Sequence, residues 1–467
     1  MNKEFLTGKN VLVMGLGRFG GGVDAAKFVA SAGAKVVITD LASSQKLIDS
    51  INQLREFPDI EFHLGSHNSI DFEKADIIVV NPAVAPDNDF LEIARRHNKF
   101  ITSQINIFFE LCPATIIGIT GANGKSTTTA LTAHLLRNTR DERRETRDES
   151  VWLSGNIGNE PLLIILDQIK PNDLVVLELS SFQLEQLAQI KKAPQIALLT
   201  NLTPNHLDRY GAFADYCTAK ENIFKYQKLD DKFPAVSIFN AEDKIAAEWF
   251  ERYKKDSGRT CIRFSTEDTG EEIRGSFPLP GRANLSNLAA AVTIARYFGI
   301  DDKQIENALP HFKPLPHRLE LVSEINGVRW YNDSKATTPQ GAISALEAFD
   351  RPIIIIAGGY DKNIPFDEFG QKIAEKAKAA ILLGQTASKI ADAIRKTQDS
   401  RLKTQDSKLK THIDIVNSLA EAVNLANQLA ESGDVVLLSP ACASYDMFDN
   451  FEQRGKQFCS LVHQISS

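Results

Sequence analysis

Short unbroken runs of β-branched and leucine-rich residues recur along the chain: Val11–Met14, Val36–Thr39, Ile77–Val80, Ile116–Ile119, Leu174–Leu179, Ile196–Leu199, Ile353–Ala357, Ala380–Leu383 and Val435–Leu438. A strand with one wetted face alternates apolar and polar residues, whereas an unbroken run suits a strand buried on both faces. Each run is followed by a turn and a helical stretch, so the connections are crossovers and the class is α/β with parallel sheets. At roughly 100–200 residues per domain, a chain of 467 residues holds about three. Breaks in the pattern place them at 1–104, 105–314 and 315–467. The helix-like Ile105–Leu111 with Cys112-Pro113 opens the second, and Lys313-Pro314-Leu315-Pro316 leads as an extended linker into the third.

A net charge of −7 gives no support to sequence-independent nucleic-acid binding, which needs a clustered basic surface. The five cysteines are far apart and contain no CxxC, which argues against a disulfide framework and a thiolate zinc site. A reducing, cytoplasmic setting is expected, with no nucleic-acid partner and no membrane insertion. No apolar run reaches the ~20 residues that span a bilayer, and the polar Met1–Asn10 does not read as a signal peptide. Thr139–Ser150 and Lys396–Thr411 each repeat at seven residues. They lack the two apolar positions per heptad of a coiled coil, so they read as solvated insertions on a loop or helix end.

Two glycine-rich loops follow strands. Gly15-Leu16-Gly17-Arg18-Phe19-Gly20 has GxGxxG spacing, and Asp40 ends the next strand where an acid would take a ribose hydroxyl. That reads as a dinucleotide or nucleotide-diphosphate loop, although glycines also serve strand–helix packing. Thr120-Gly121-Ala122-Asn123-Gly124-Lys125-Ser126-Thr127 exposes backbone donors, with Lys125 able to bridge the β- and γ-phosphates and a hydroxyl able to hold Mg²⁺. Two such loops imply two nucleotide ligands, one a triphosphate. Glu178, leaving a strand beside the second loop, is placed to complete an Mg²⁺ shell. His206 could ligate metal, and Lys220, taken alone, reads as a surface lysine. In the third domain, Arg318 could clamp a phosphate and Asp333 a ribose or base. Lys335 and Lys362 could hold a small carboxylate.

In this order and spacing, TGANGKST, ELSSFQLE, the LPHR–NDSKAT pair and SPACASYDMFDNFEQRG closely resemble the Mur ligase family over the whole chain outside the repeats, and within it the branch that adds D-glutamate. The resemblance implies a Rossmann-like N-terminal domain binding a UDP-linked substrate, a P-loop ATPase-like central domain, and a Rossmann-like C-terminal domain binding the amino acid. It implies ATP-dependent ligation of D-glutamate to UDP-N-acetylmuramoyl-L-alanine through an acyl phosphate, a cytoplasmic step of peptidoglycan synthesis. Gly15, Gly17, Arg18, Phe19, Asp40 and Asn156 would then hold the UDP substrate. Gly121, Ala122, Asn123, Gly124, Lys125, Ser126, Thr127, Asn284, Arg318 and Asp333 would hold ATP. Ser126 and Glu178 would hold a first Mg²⁺; His206 and a carbamylated Lys220 would hold a second. Lys125, Glu178, His206 and Lys220 form the catalytic set, and Lys335, Thr337, Lys362, Ser444, Tyr445 and Phe451 surround the amino acid. Three positions depart from the family pattern: Asn205 where Asp is usual, Ala283 where His precedes Asn284, and Ala83 where glycine is usual. The competing readings are an NAD-dependent oxidoreductase using the first loop and a non-catalytic nucleotide-binding module derived from a ligase.

Overall fold

The structure, a computed structural model, describes residues 3–18, 20–138, 149–157, 161–403 and 410–465. Strands β1 (Asn10–Met14), β2 (Lys35–Asp40), β3 (Glu61–Leu64), β4 (Ile77–Val80) and β5 (Phe100–Thr102) form a parallel sheet in the order β3-β2-β1-β4-β5. A second parallel sheet contains β6 (Thr115–Thr120), β7 (Val151–Gly155), β8 (Leu174–Glu178), β9 (Ile196–Leu199), β10 (Ala235–Asn240) and β11 (Arg259–Phe264), ordered β11-β10-β9-β6-β8-β7. The third holds β12 (Glu320–Ile325), β13 (Val328–Asn332), β14 (Ile353–Ala357), β15 (Ala377–Leu382), β16 (His412–Ile415) and β17 (Val435–Leu438), ordered β12-β13-β17-β14-β15-β16.

That third sheet departs from the all-parallel expectation, because β12 pairs antiparallel with β13. The hairpin turns on Asn326 (φ 52°) and Gly327 (φ 78°), and an Asn-Gly pair with two positive φ angles matches the twist of the strands it joins. Elsewhere the expectation from unbroken runs holds in detail. Ile353, Ile355 and Leu437 pack into one apolar cluster, while Ile354, Ile356 and Val436 pack into another. Successive strand residues point to opposite faces, and here both faces are dry.

The chain forms two compact units, residues 1–270 with 287–308, and residues 271–286 with 309–467. The first contains the first two sheets, joined by one apolar cluster that includes Val13, Ile38, Phe108, Leu177 and Leu199; the second contains the third sheet. The helix Lys125–Asn138 ends where the first repeat begins, and that repeat lies outside the described residues except for 149–150. Lys396–Lys403 of the second repeat forms the end of the helix Ala387–Lys403, while 404–409 lie outside the described residues. Among the described residues no helix is long and apolar enough to cross a membrane.

Candidate active site

In open parallel sheets, ligands gather at the carboxyl ends of the strands. At the end of β6 the chain enters the second glycine loop and then the helix Lys125–Asn138, whose first-turn amides have no acceptor within the helix itself. The loop is sewn to the end of β9. Asn201 accepts from the Ala122 N–H through its carbonyl (2.8 Å) and from the Asn123 N–H through Oδ1 (2.9 Å), and the Thr200 hydroxyl donates to the Asn123 carbonyl (2.6 Å). Gly124 adopts φ 79°, and a Cβ there would lie 2.1 Å from Asn287 Oδ1. Only glycine meets both conditions. Lys125 Nζ curls back to donate to the Ala122 carbonyl at 2.9 Å. Asn201, Thr200 and Asn287 hold the loop, and motif reading missed them because each acts on a neighbour brought close only by the fold.

Behind the loop, the Ser126 hydroxyl donates to Glu178 Oε2 at 2.5 Å, and Asn156 Nδ2 donates to Oε1 at 3.1 Å. Glu178 is buried at the end of β8. Asn156, expected at the UDP substrate, thus orients this carboxylate in the structure. Lys220 corrects the surface reading: it is 1% exposed, and its Nζ donates to Thr120 Oγ1 at 3.1 Å. It shares a helix face with Tyr216 and Ile223, both buried, in the helix Phe213–Lys225. Its pKa falls well below the ordinary lysine value, first because burial disfavours the ammonium and second because Lys125 repels it; Glu178 opposes the shift. His206 sits in the left-handed region at φ 52°, with its ring 5.1 Å from Phe182 and 6.2 Å from Tyr216. Asn205 Oδ1 accepts the His206 N–H at 2.9 Å. The departure from Asp therefore keeps the turn's acceptor and removes only its charge.

On the first sheet, Asp40 braces the GxGxxG loop, accepting from the Gly17 N–H (3.0 Å) and the Ala42 N–H (2.8 Å). Each oxygen keeps a further lone pair for a ligand hydroxyl. Asn81 Nδ2 donates to the Gly15 carbonyl at 3.2 Å, and Arg18 is exposed. Phe19 lies outside the described residues.

In the second unit, the LPHR, NDSKAT, SPACAS and FEQRG stretches meet. Asp333 is buried, accepts from the Leu319 N–H (3.2 Å) and the Ser439 hydroxyl (2.8 Å), and burial pushes its carboxyl up to about 7 against those donors and Arg318. His317, Leu319 and Ala441 have φ of 63°, 44° and 60°, strain of about 1–3 kcal/mol each that such loops carry at functional sites. Gly455 admits the His317 ring, since a Cβ would lie 2.3 Å from Nδ1. Asn332 Nδ2 bonds that same nitrogen at 2.8 Å. Lys335 Nζ lies 5.3 Å from the Phe451 ring centroid, and the Thr337 N–H donates to the Lys335 carbonyl at 2.9 Å. Ser444 is buried, Tyr445 is exposed beside Tyr360 at 6.1 Å, and Lys362 is exposed. Asn284 Nδ2 donates to the Pro280 carbonyl at 2.8 Å.

The chain matches the Mur ligase MurD-like N-terminal domain over residues 9–103, the Mur ligase middle domain over 119–277 and the Mur ligase glutamate ligase domain over 317–442. Solved structures with the same fold include the UDP-N-acetylmuramate-alanine ligase MurC of Thermotoga maritima (20% identity, TM-score 0.59, 98% of this chain and 100% of that one). Another is the MurF ligase of Thermotoga maritima in complex with ADP (18% identity, TM-score 0.57, 92% of this chain and 96% of that one). The chain belongs to the Mur ligase family, whose members are ATP-dependent, amide-bond-forming enzymes, which does not favour the oxidoreductase and non-catalytic readings. Among full-length relatives it is 39% identical to the UDP-N-acetylmuramoylalanine–D-glutamate ligase of Roseiflexus sp. (99% of this chain, 100% of the relative). It is 37% identical to the protein of the same name in Clostridium tetani (99% and 98%).

Among the described residues no three His, Cys, Asp or Glu side chains cluster as a metal cage. Mg²⁺ takes one or two carboxylates and completes its shell with water and substrate phosphates. The Ser126 hydroxyl and Glu178 beside the phosphate loop are such a donor set.

Proposed function

We propose that this protein joins the amine of D-glutamate to the lactyl-alanine carboxylate of UDP-N-acetylmuramoyl-L-alanine, using ATP and Mg²⁺, in a cytoplasmic step of peptidoglycan synthesis. The observation that carries this reading is the convergence of Lys125, Ser126, Glu178 and a buried Lys220 at the ends of β6 and β8, in a chain whose full-length relatives bear that ligase name.

Residues 1–104 take the UDP substrate through Gly15, Gly17, Arg18, Phe19 and Asp40, and Asn156 also contacts it. Residues 105–314 take ATP on the loop 121–127 and Asn284. Residues 315–467 supply Arg318 and Asp333 to the nucleotide. They also surround the amino acid with Lys335, Thr337, Lys362, Ser444, Tyr445 and Phe451. Ser126 and Glu178 would hold one Mg²⁺, and His206 with carbamylated Lys220 a second; when bound, the ions would supply neutralisation of phosphate charge. The loop amides and Lys125 position the γ-phosphoryl group for attack by the substrate carboxylate, giving an acyl phosphate and ADP. The amine then attacks the acyl carbon, phosphate leaves, and the amine's extra proton passes to solvent. The protein's contribution is placement and electrostatic stabilisation of a transferring group. Asn156 serves by keeping Glu178 turned toward Ser126.

The test is phosphate release with components omitted in turn. Sustained release is expected only when UDP-N-acetylmuramoyl-L-alanine, D-glutamate, ATP and Mg²⁺ are all present. Undiminished release without D-glutamate would sink the proposal.

A further inference from the structure

The FEQRG stretch at the start of the helix Phe451–Ile465 contains a charged side chain that the reaction scheme does not use. Arg454 is 3% exposed. Its Nε donates to Ser334 Oγ at 3.0 Å; one terminal nitrogen donates to the Ser334 carbonyl at 2.8 Å and the Cys442 carbonyl at 3.1 Å; the other also reaches the Cys442 carbonyl at 3.1 Å. The Ser334 hydroxyl in turn donates to the Phe451 carbonyl at 2.8 Å. On the far side, a Cβ at Gly359 would lie 3.3 Å from the guanidinium. All of these acceptors are neutral oxygens, two carbonyls and a hydroxyl, while the Asp446 and Asp333 carboxylates act on the cation only through space. Burial lowers its pKa to about 10, which leaves it charged at neutral pH.

The placement matters because β13, β17 and β14 are neighbours in the third sheet. Ser334, Cys442 and Gly359 stand just beyond their carboxyl ends. One side chain therefore bonds two adjacent strand ends, whose loops carry Lys335 and Thr337 and Ser444 and Tyr445, and at the third end, before the loop of Lys362, the lack of a Cβ at Gly359 leaves room for the guanidinium. A guanidinium fork can span two carbonyls and a hydroxyl at fixed angles, which an ammonium cannot.

We propose that Arg454 is a positioning residue of the amino-acid site, fixing the spacing of the NDSKAT and SPACAS loops and lending them a positive charge that favours an acidic amino acid. The idea rests on the assignment of those loops to D-glutamate. Arg454→Gln removes charge and fork, while Arg454→Lys removes the fork alone. In steady-state kinetics, Arg454→Gln should raise KM for D-glutamate about tenfold or more, with KM for ATP and the UDP substrate changed less than about twofold. Arg454→Lys should fall between it and the parent. Equal changes in all three constants, or none, would overturn the proposal. Amide hydrogen exchange on the intact, ligand-free Arg454→Lys protein provides a readout independent of turnover. Residues 334–337 and 442–445 should exchange about tenfold faster while the rest of the second unit is unchanged; uniform or absent acceleration overturns the positioning role. If the parent protein does not use D-glutamate, the proposed function fails, and the exchange experiment still decides whether Arg454 fixes these loops.

Discussion

Lys220→Ala should lower the rate of phosphate release by about a thousandfold, with partial recovery when a short carboxylic acid is added. The amine is buried beside Tyr216, Thr120 and Cys217, where burial and the charge of Lys125 disfavour its ammonium form. A neutral amine adds CO₂: its lone pair forms the N–C bond, a proton leaves to solvent, and the product is a carbamate anion on a long stem. In the proposed carbamate a buried base would become an oxygen ligand, which a small carboxylate would imitate in the cavity left by alanine. The pH dependence has a definite sign. Lowering pH protonates the amine and withdraws it from CO₂, so activity should fall on the acid side and recover with added bicarbonate. Because the folded-state pKa lies below the unfolded value, the unfolded chain binds more protons. Stability of the unmodified protein should therefore rise with pH from the folded pKa toward the ordinary lysine value. Full activity in Lys220→Ala, or activity indifferent to bicarbonate at low pH, contradicts the carbamate.

Glu178→Gln should cost about 10²–10³ in kcat with little loss of fold, since the amide is nearly isosteric. The substituted oxygen can still accept from Asn156 Nδ2 or the Ser126 hydroxyl, whose two bonds the carboxylate holds at 3.1 and 2.5 Å. The missing negative charge removes a ligand for Mg²⁺, so the dependence of rate on Mg²⁺ should shift to higher concentration. A thermal unfolding curve separates this from general damage. Unchanged Mg²⁺ dependence with wild-type kcat would remove Glu178 from the metal site.

Much of the parallel architecture was legible because buried strands such as β1, β4 and β14 need runs without polar interruption. Among the strands that escaped notice, the half-exposed edges β3, β11 and β16 have mixed residues with no clear period, while the fully buried β10 has its apolar run broken by Ser237. The β12–β13 hairpin is a different case. Its Asn326-Gly327 turn was in plain view, and the assumption of parallel connections hid it. Lys220 shows how a local default misleads: a lysine in isolation is a surface residue, yet its spacing from Tyr216 and Ile223 puts it on the buried face of an amphipathic helix. The phosphate loop could be located from its glycines. Its support by Asn201 and Asn287, and the bracing of Glu178 by Asn156, depend on side chains that the fold brings together from distant segments. Arg454 was visible as part of a motif, but its role depends on three strand ends meeting.

In the proposed reaction the substrate carboxylate itself receives the γ-phosphoryl group at the Lys125 loop. UDP-N-acetylmuramoyl-L-alanine labelled with ¹⁸O in both carboxylate oxygens tests it directly. If the carboxylate attacks phosphorus, one labelled oxygen must leave with the released phosphate and one must remain in the new amide. Unlabelled phosphate accompanying amide formation would contradict the account.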